Sequence, residues 1–149
     1  MKRILIANRG EIAIRIARTC NDLGIKPIGL YSEDDLNSLH LSKMDESFML
    51  EKKGSNAYLD IKKIIEIAKL SKVDAIHPGY GFLSENPLFA KATRQAKLKF
   101  IGPSEQSLRT FGDKTKAKEL AKKLNIPVIN GTEGKTSLKQ AADFLKGLK

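Results

Sequence analysis

Short, fully apolar runs alternate along the chain with longer stretches in which apolar residues recur every three to four positions. Arg3-Ile4-Leu5-Ile6-Ala7, Pro27-Ile28-Gly29-Leu30-Tyr31, Ala75-Ile76-His77 and Lys99-Phe100-Ile101 are the short runs, and each predicts a strand buried on both faces. Glu11 to Leu23 puts Ile12, Ile16, Cys20 and Leu23 on one stripe, with Ala13 and Ala17 beside them, which predicts a helix. Gly24 stands where a left-handed cap closes such a helix. The same period predicts a helix over Tyr58 to Leu70. Asn86-Pro87, a cap residue followed by a proline suited to the first turn, opens another to about residue 97. Smaller elements are expected at Ser38 to Lys43 (a turn of helix), Ser47 to Leu50 (a strand) and Ser104 to Thr110 (a helix). Asp113 caps a lysine-rich helix to about Leu124, Pro127 to Ile129 leads into a glycine-containing loop over Gly131 to Gly134, and Ser137 to Leu148 is a final helix. Strand and helix in alternation give an α/β protein with a doubly wound parallel sheet. Ligands of such sheets bind beyond the carboxyl ends of the strands, where Asn8 to Glu11, Ser32 to Asn37 and Pro78 to Glu85 lie.

Composition narrows the class. The chain has 149 residues, of which 41% are hydrophobic and 30% charged, enough for a packed core and not a disordered composition. Its apolar runs are too short to span a membrane or to form a signal peptide. The single cysteine, Cys20, rules out an internal disulfide and lies on the apolar stripe of the first helix, where a core role is expected. A cytoplasmic location is the expectation. The net charge of +10 is uneven: residues 1–112 carry 18 basic against 13 acidic residues, residues 113–149 carry 9 against 4, and this suggests a boundary near position 112. Most of the cations are scattered lysines, and there is no tryptophan. That pattern suits solvated faces that attract anionic ligands such as nucleotides, and not a nucleic-acid surface.

Three stretches carry candidate chemistry. The turn Ala7-Asn8-Arg9-Gly10-Glu11 has one glycine where a dinucleotide-binding turn needs three, which argues against an NAD or FAD site. Arg9 there can serve an anion or hold two domains together. His77 to Asn86 takes ten residues to join a strand to a helix, where two to six suffice. Its glycines around Tyr80 allow close approach to a ligand; alternatively, Tyr80 and Phe82 fill a gap beside the sheet. Lys114, at the start of a helix, can meet phosphate oxygens or be a plain surface lysine. The residues show no histidine and carboxylate cluster with metal-ligand spacing.

Taken together, Ile6 to Ile16, His77 to Asn86, Phe100-Ile101-Gly102-Pro103 and Gly112-Asp113-Lys114 resemble, in order and spacing, the N-terminal part of biotin carboxylase. That enzyme exists as a free subunit or as the first segment of acyl-CoA, pyruvate and related biotin-dependent carboxylases. The resemblance covers essentially the whole chain. It implies an ATP-grasp enzyme with a Rossmann-like first domain over residues 1–112 and the truncated start of the ATP-grasp domain over 113–149. It implies ATP- and Mg2+-dependent carboxylation of biotin on a carrier protein, with bicarbonate as the carbon source. Lys114 matches the lysine that contacts ATP phosphates, and His77, Tyr80, Gly81 and Glu85 fall on the loop facing the biotin end of the site. Arg15, Arg18 and Asp22 lie on a helix surface the family uses for homodimer contacts. The expected partners are a biotin carboxyl carrier protein or domain and a carboxyltransferase component. The glycine-rich lid, the metal-binding glutamates and the residues handling bicarbonate have no counterpart in the 149 residues, so no catalytic residue is assigned and the chain alone is expected to be inactive. Met44 and Glu51 depart from the family pattern at positions that read as peripheral. The rival readings are another ATP-grasp ligase, a non-catalytic dimerisation or docking module, and electrostatic nucleic-acid binding.

Overall fold

The structure, a computed structural model, describes residues 1–132 and 136–147. The described strands are β1 (Arg3–Ile6), β2 (Lys26–Tyr31), β3 (Glu46–Met49), β4 (Ala75–His77) and β5 (Lys99–Phe100), and the helices are α1 (Gly10–Asp22), α2 (Ile61–Leu70), α3 (Pro87–Gln95), α4 (Glu105–Phe111), α5 (Lys114–Lys123) and α6 (Leu138–Gly147). The strands form one parallel sheet in the order β3-β2-β1-β4-β5, so the expected doubly wound α/β sheet is present. The small strand over Ser47 to Leu50 joins it as β3, one residue earlier than its sequence pattern placed it.

Strand periodicity builds a core on each face. Leu5 and Ala7 of the β1 segment point to one side, into a cluster with Ile28, Leu30, Ile76 and the buried faces of α2 and α3. Ile4 and Ile6 point to the other, against Ala13, Ile16, Ala17 and Cys20 of α1. Cys20 is therefore the core residue its stripe predicted, and burial raises its thiol pKa. Gly29 of β2 leaves room for Met44, whose Cγ would lie 2.6 Å from any Cβ at position 29. Met44 thus packs against the sheet.

Caps set the helix ends. The Asn86 side chain accepts from the amides of Leu88 and Phe89, and that of Asp113 from Thr115 and Lys116, as the sequence indicated. Gly24, at φ +66°, closes α1. One boundary differs: the helix expected from Tyr58 begins at Ile61. Asp60 is its cap, accepting from the Lys63 amide, and Ser55–Leu59 form a 3-10 turn that carries Tyr58 into the core. Glu51, at φ +55°, adopts a backbone conformation that favours glycine.

The chain divides into two compact units, Met1–Leu108 and Arg109–Lys149. Of the loop expected over Gly131 to Gly134 and the helix expected over Ser137 to Leu148, Glu133, Gly134 and Leu148 lie outside the described residues. Among the described residues no helix is long and apolar enough to cross a membrane.

Candidate functional site

The carboxyl ends of β1, β2 and β4 bring three loops together within the first unit. Where β1 ends, the Ala7 amide still bonds the His77 carbonyl at 2.9 Å, and the chain then turns at Gly10, φ +62°, into α1. Arg9 sits at the cap position of α1 and turns its guanidinium to Asp35, with Nη1 3.1 and 3.2 Å from the two carboxylate oxygens. The same guanidinium lies 5.8 Å from the Tyr58 ring centroid. In the structure Arg9 does neither of the two things expected of it: its contact with Asp35 ties two loops of the same unit together. Asp35 also accepts from the Tyr58 hydroxyl (2.8 Å) and the Ser32 hydroxyl (3.0 Å), while the Ser32 amide donates to the Tyr58 oxygen (3.2 Å). Burial pushes the Asp35 carboxyl pKa upward, but the bonds from Tyr58 and Ser32 and the charge of Arg9 outweigh it and hold the carboxyl below its ordinary value. Burial, and then the bond to Asp35, push the Tyr58 hydroxyl well above the usual tyrosine range.

The long loop after β4 is both packed and presented. Phe82 stacks on Tyr58 with centroids 5.1 Å apart, and Leu83 is buried. Tyr80, by contrast, is 62% exposed, and Gly81 beside it, at φ +64°, faces open space. The sequence offered ligand approach and gap filling as alternatives; Phe82 does the filling and leaves Tyr80 outward. His77 is half-buried, and burial lowers its pKa. Its Nδ1 accepts from the Gly79 amide at 3.0 Å. A backbone amide can only donate, so the ring's proton, when neutral, is on Nε2. Glu85 is exposed at the end of the loop.

Asn8, read from sequence only as a turn residue, is 3% exposed. Its Nδ2 donates to the carbonyls of Pro78 and Tyr80, each at 2.8 Å, and its Oδ1 accepts from the Arg9 amide at 2.9 Å. A polar residue directly after a buried strand was the available signal. Tyr58 and Asp35 were missed as well, because the hydroxyl-carboxylate pair joins segments with no common motif.

Arg15, Arg18 and Asp22 are exposed along α1. The two arginines line a cavity of about 580 Å³ with Glu11, Ile14 and Leu39. Lys114 is exposed at the first position of α5, in the second unit. Among the described residues no group of histidine, cysteine and carboxylate side chains could hold a metal ion.

Comparison with known proteins gives a consistent answer. The family model for the biotin carboxylase N-terminal domain matches residues 1–108. The chain is 50% identical over 145 residues to the pyruvate carboxylase of Bacillus subtilis, covering 96% of this chain and 13% of that protein. It superposes on the biotin carboxylase domain of a single-chain bacterial carboxylase with a TM-score of 0.94 and 46% identity, covering 99% of this chain and 34% of that one. It also matches the biotin carboxylase domain dimer of the Hydrogenobacter thermophilus 2-oxoglutarate carboxylase, solved with MgADP, ADP and bicarbonate, with a TM-score of 0.93 and 36% identity over 99% of this chain and 33% of that one. The chain thus spans about an eighth of that pyruvate carboxylase and a third of the solved biotin carboxylase domains.

Proposed function

The chain belongs to the biotin carboxylase N-terminal domain family, and on that footing we propose that it supplies the Rossmann-like part of an enzyme that carboxylates carrier-bound biotin. The family is ligase-type, built on the ATP-grasp architecture of its structural neighbours. ATP and bicarbonate are the co-substrates in this reading, and the MgADP and bicarbonate held by the Hydrogenobacter relative support them. The observation that carries the proposal is the Tyr80 loop: a largely exposed aromatic ring next to Gly81, on a backbone bonded from below, at the ligand-binding edge of the sheet. Tyr80 and Gly81 face the biotin end of the site, flanked by His77 and Glu85. Lys114 meets the ATP phosphates from the start of the ATP-grasp portion, residues 113–149. Mg2+ accompanies ATP in this reading, as it does ADP in the Hydrogenobacter relative. The carrier protein or domain and the carboxyltransferase component are the partners of this reading.

In the intact protein carrying this chain, Lys114→Ala is expected to raise KM for ATP, and Tyr80→Ala to raise KM for free biotin, each by about tenfold. Wild-type protein without biotin-dependent, bicarbonate-dependent ATP turnover would overturn the proposal. The 149-residue chain by itself is expected to show no such turnover. A second reading, homodimer contacts through Arg15, Arg18 and Asp22, is favoured by Leu39, 68% exposed beside both arginines. Sedimentation of an Arg18→Glu variant tests it: dimers that persist unchanged count against it.

A further inference from the structure

We propose that Asn8 is a positioning residue for the biotin side of the site: through its amide group it holds the loop that presents Tyr80, and so tunes binding of the carboxyl acceptor without touching it. This inference rests on the assignment of Tyr80 given above.

Both Nδ2 protons of Asn8 are committed to the loop, one to the Pro78 carbonyl and one to the Tyr80 carbonyl. Its Oδ1 is committed to the Arg9 amide, which fixes the orientation of the amide group, since an interchange of O and N would face Oδ1 against two carbonyls. The side chain is therefore a buried clamp that joins the end of β1 to the two residues flanking Gly79. Gly79 completes the clamp: at φ +67°, a Cβ there would lie 2.7 Å from Asn8 Nδ2, so only glycine lets the loop backbone come this close. From the other side, the Gly79 amide is held by His77 Nδ1. Tyr80, whose carbonyl is clamped, is itself 62% exposed. A largely exposed aromatic residue that stands on a backbone held by Asn8 and next to an amide held by His77 has its backbone position defined before any ligand arrives, and less ordering is left for the ligand to impose.

The test uses the intact protein with Asn8→Asp, which keeps the shape and removes both donated protons, and Asn8→Ala. Gly79→Ala attacks the clamp from the opposite side. Ile64→Val, in the core of α2, is the control for plain loss of stability. Two readouts are taken: KM for free biotin against KM for ATP, and hydrogen exchange of the segment 78–84 against that of β4. The expected result for all three clamp variants is a rise of about tenfold or more in KM for biotin with KM for ATP changed less than about twofold. Exchange should accelerate in 78–84 with β4 unchanged, and neither effect should appear in Ile64→Val. Unchanged exchange over 78–84 overturns the clamp, and equal shifts in both KM values overturn the positioning role. Wild-type protein that turns over no biotin would instead overturn the assignment of Tyr80, while the exchange readout still decides whether Asn8 holds the loop.

Discussion

The units Met1–Leu108 and Arg109–Lys149 use the same local devices and end in different states. Asp60 and Asn86 cap helices in the first, and Asp113 caps one in the second by the same acceptance of backbone amides. In the first unit those helices press Ile64, Ala68 and Phe89 to full burial against the sheet. In the second, no described residue is buried, and Ile129 and Leu138 are 90% and 92% exposed. Caps and helical period are thus enough to write a helix, whereas burial of an apolar face is what gives one most of its stability. The functional candidates divide along the same line: Tyr80 stands on the buried framework, and Lys114 on a helix without one.

The largest expected effect is a core truncation. Leu5→Ala, at a fully buried position, should cost about 2–5 kcal/mol in denaturant unfolding, whereas Leu138→Ala in the second unit should stay within about 0.5 kcal/mol. Similar losses from both would break the contrast. Next comes Tyr58→Phe, which leaves Asp35 and the Ser32 amide each one partner short; about 1–3 kcal/mol is expected by the same measurement. The Asp35 carboxyl, held below its ordinary value in the folded state, adds stability that is complete above the unfolded value of about 3.9 and lost as pH falls through the folded value. Urea midpoints from about pH 6 downward should therefore fall less steeply in Asp35→Asn than in wild type, although the variant starts lower. Asp113→Ala should cost about 1 kcal/mol, read as faster amide exchange confined to α5, with β1 unaffected. The smallest effect is a gain. Glu51→Gly relieves a left-handed backbone at φ +55° and should stabilise by up to about 1 kcal/mol. The ion pair it removes, with Lys63, is largely exposed on the glutamate side and worth little.

Where a residue's role is local, the sequence shows it. The alternation of Ile4, Leu5, Ile6 and Ala7 between the two cores, the Asn86-Pro87 start of α3 and the Gly24 stop of α1 all follow from neighbours a few positions away. The unusual length of the His77 to Asn86 stretch likewise marks the candidate site. The roles that stay hidden are those made by contacts across the chain. Tyr58 reads as the first apolar residue of a helix, yet its hydroxyl bonds to Asp35, and that contact places it in a separate turn before α2. Asn8 reads as a turn residue because nothing near it reveals that its partners are Pro78 and Tyr80. Glu51 reads as peripheral because a positive φ leaves no mark in hydropathy. Lys114 has no signal beyond its place at a helix start, and only the resemblance gives it a role.

The place of β1 has a consequence for how the chain comes off the ribosome. β1 lies in the middle of the sheet, paired with β2 through Leu5 and Ile28 and with β4 through Leu5 and Ile76. β1 must therefore wait for a partner encoded some seventy residues downstream, and β4 in turn waits for β5. At roughly 5–20 residues per second, synthesis leaves that apolar edge open for several seconds. Parallel pairing over such separations is slow in any case. During that interval Ile4, Leu5 and Ile6 form an uncovered hydrophobic edge, the kind of segment a nascent-chain chaperone would shield.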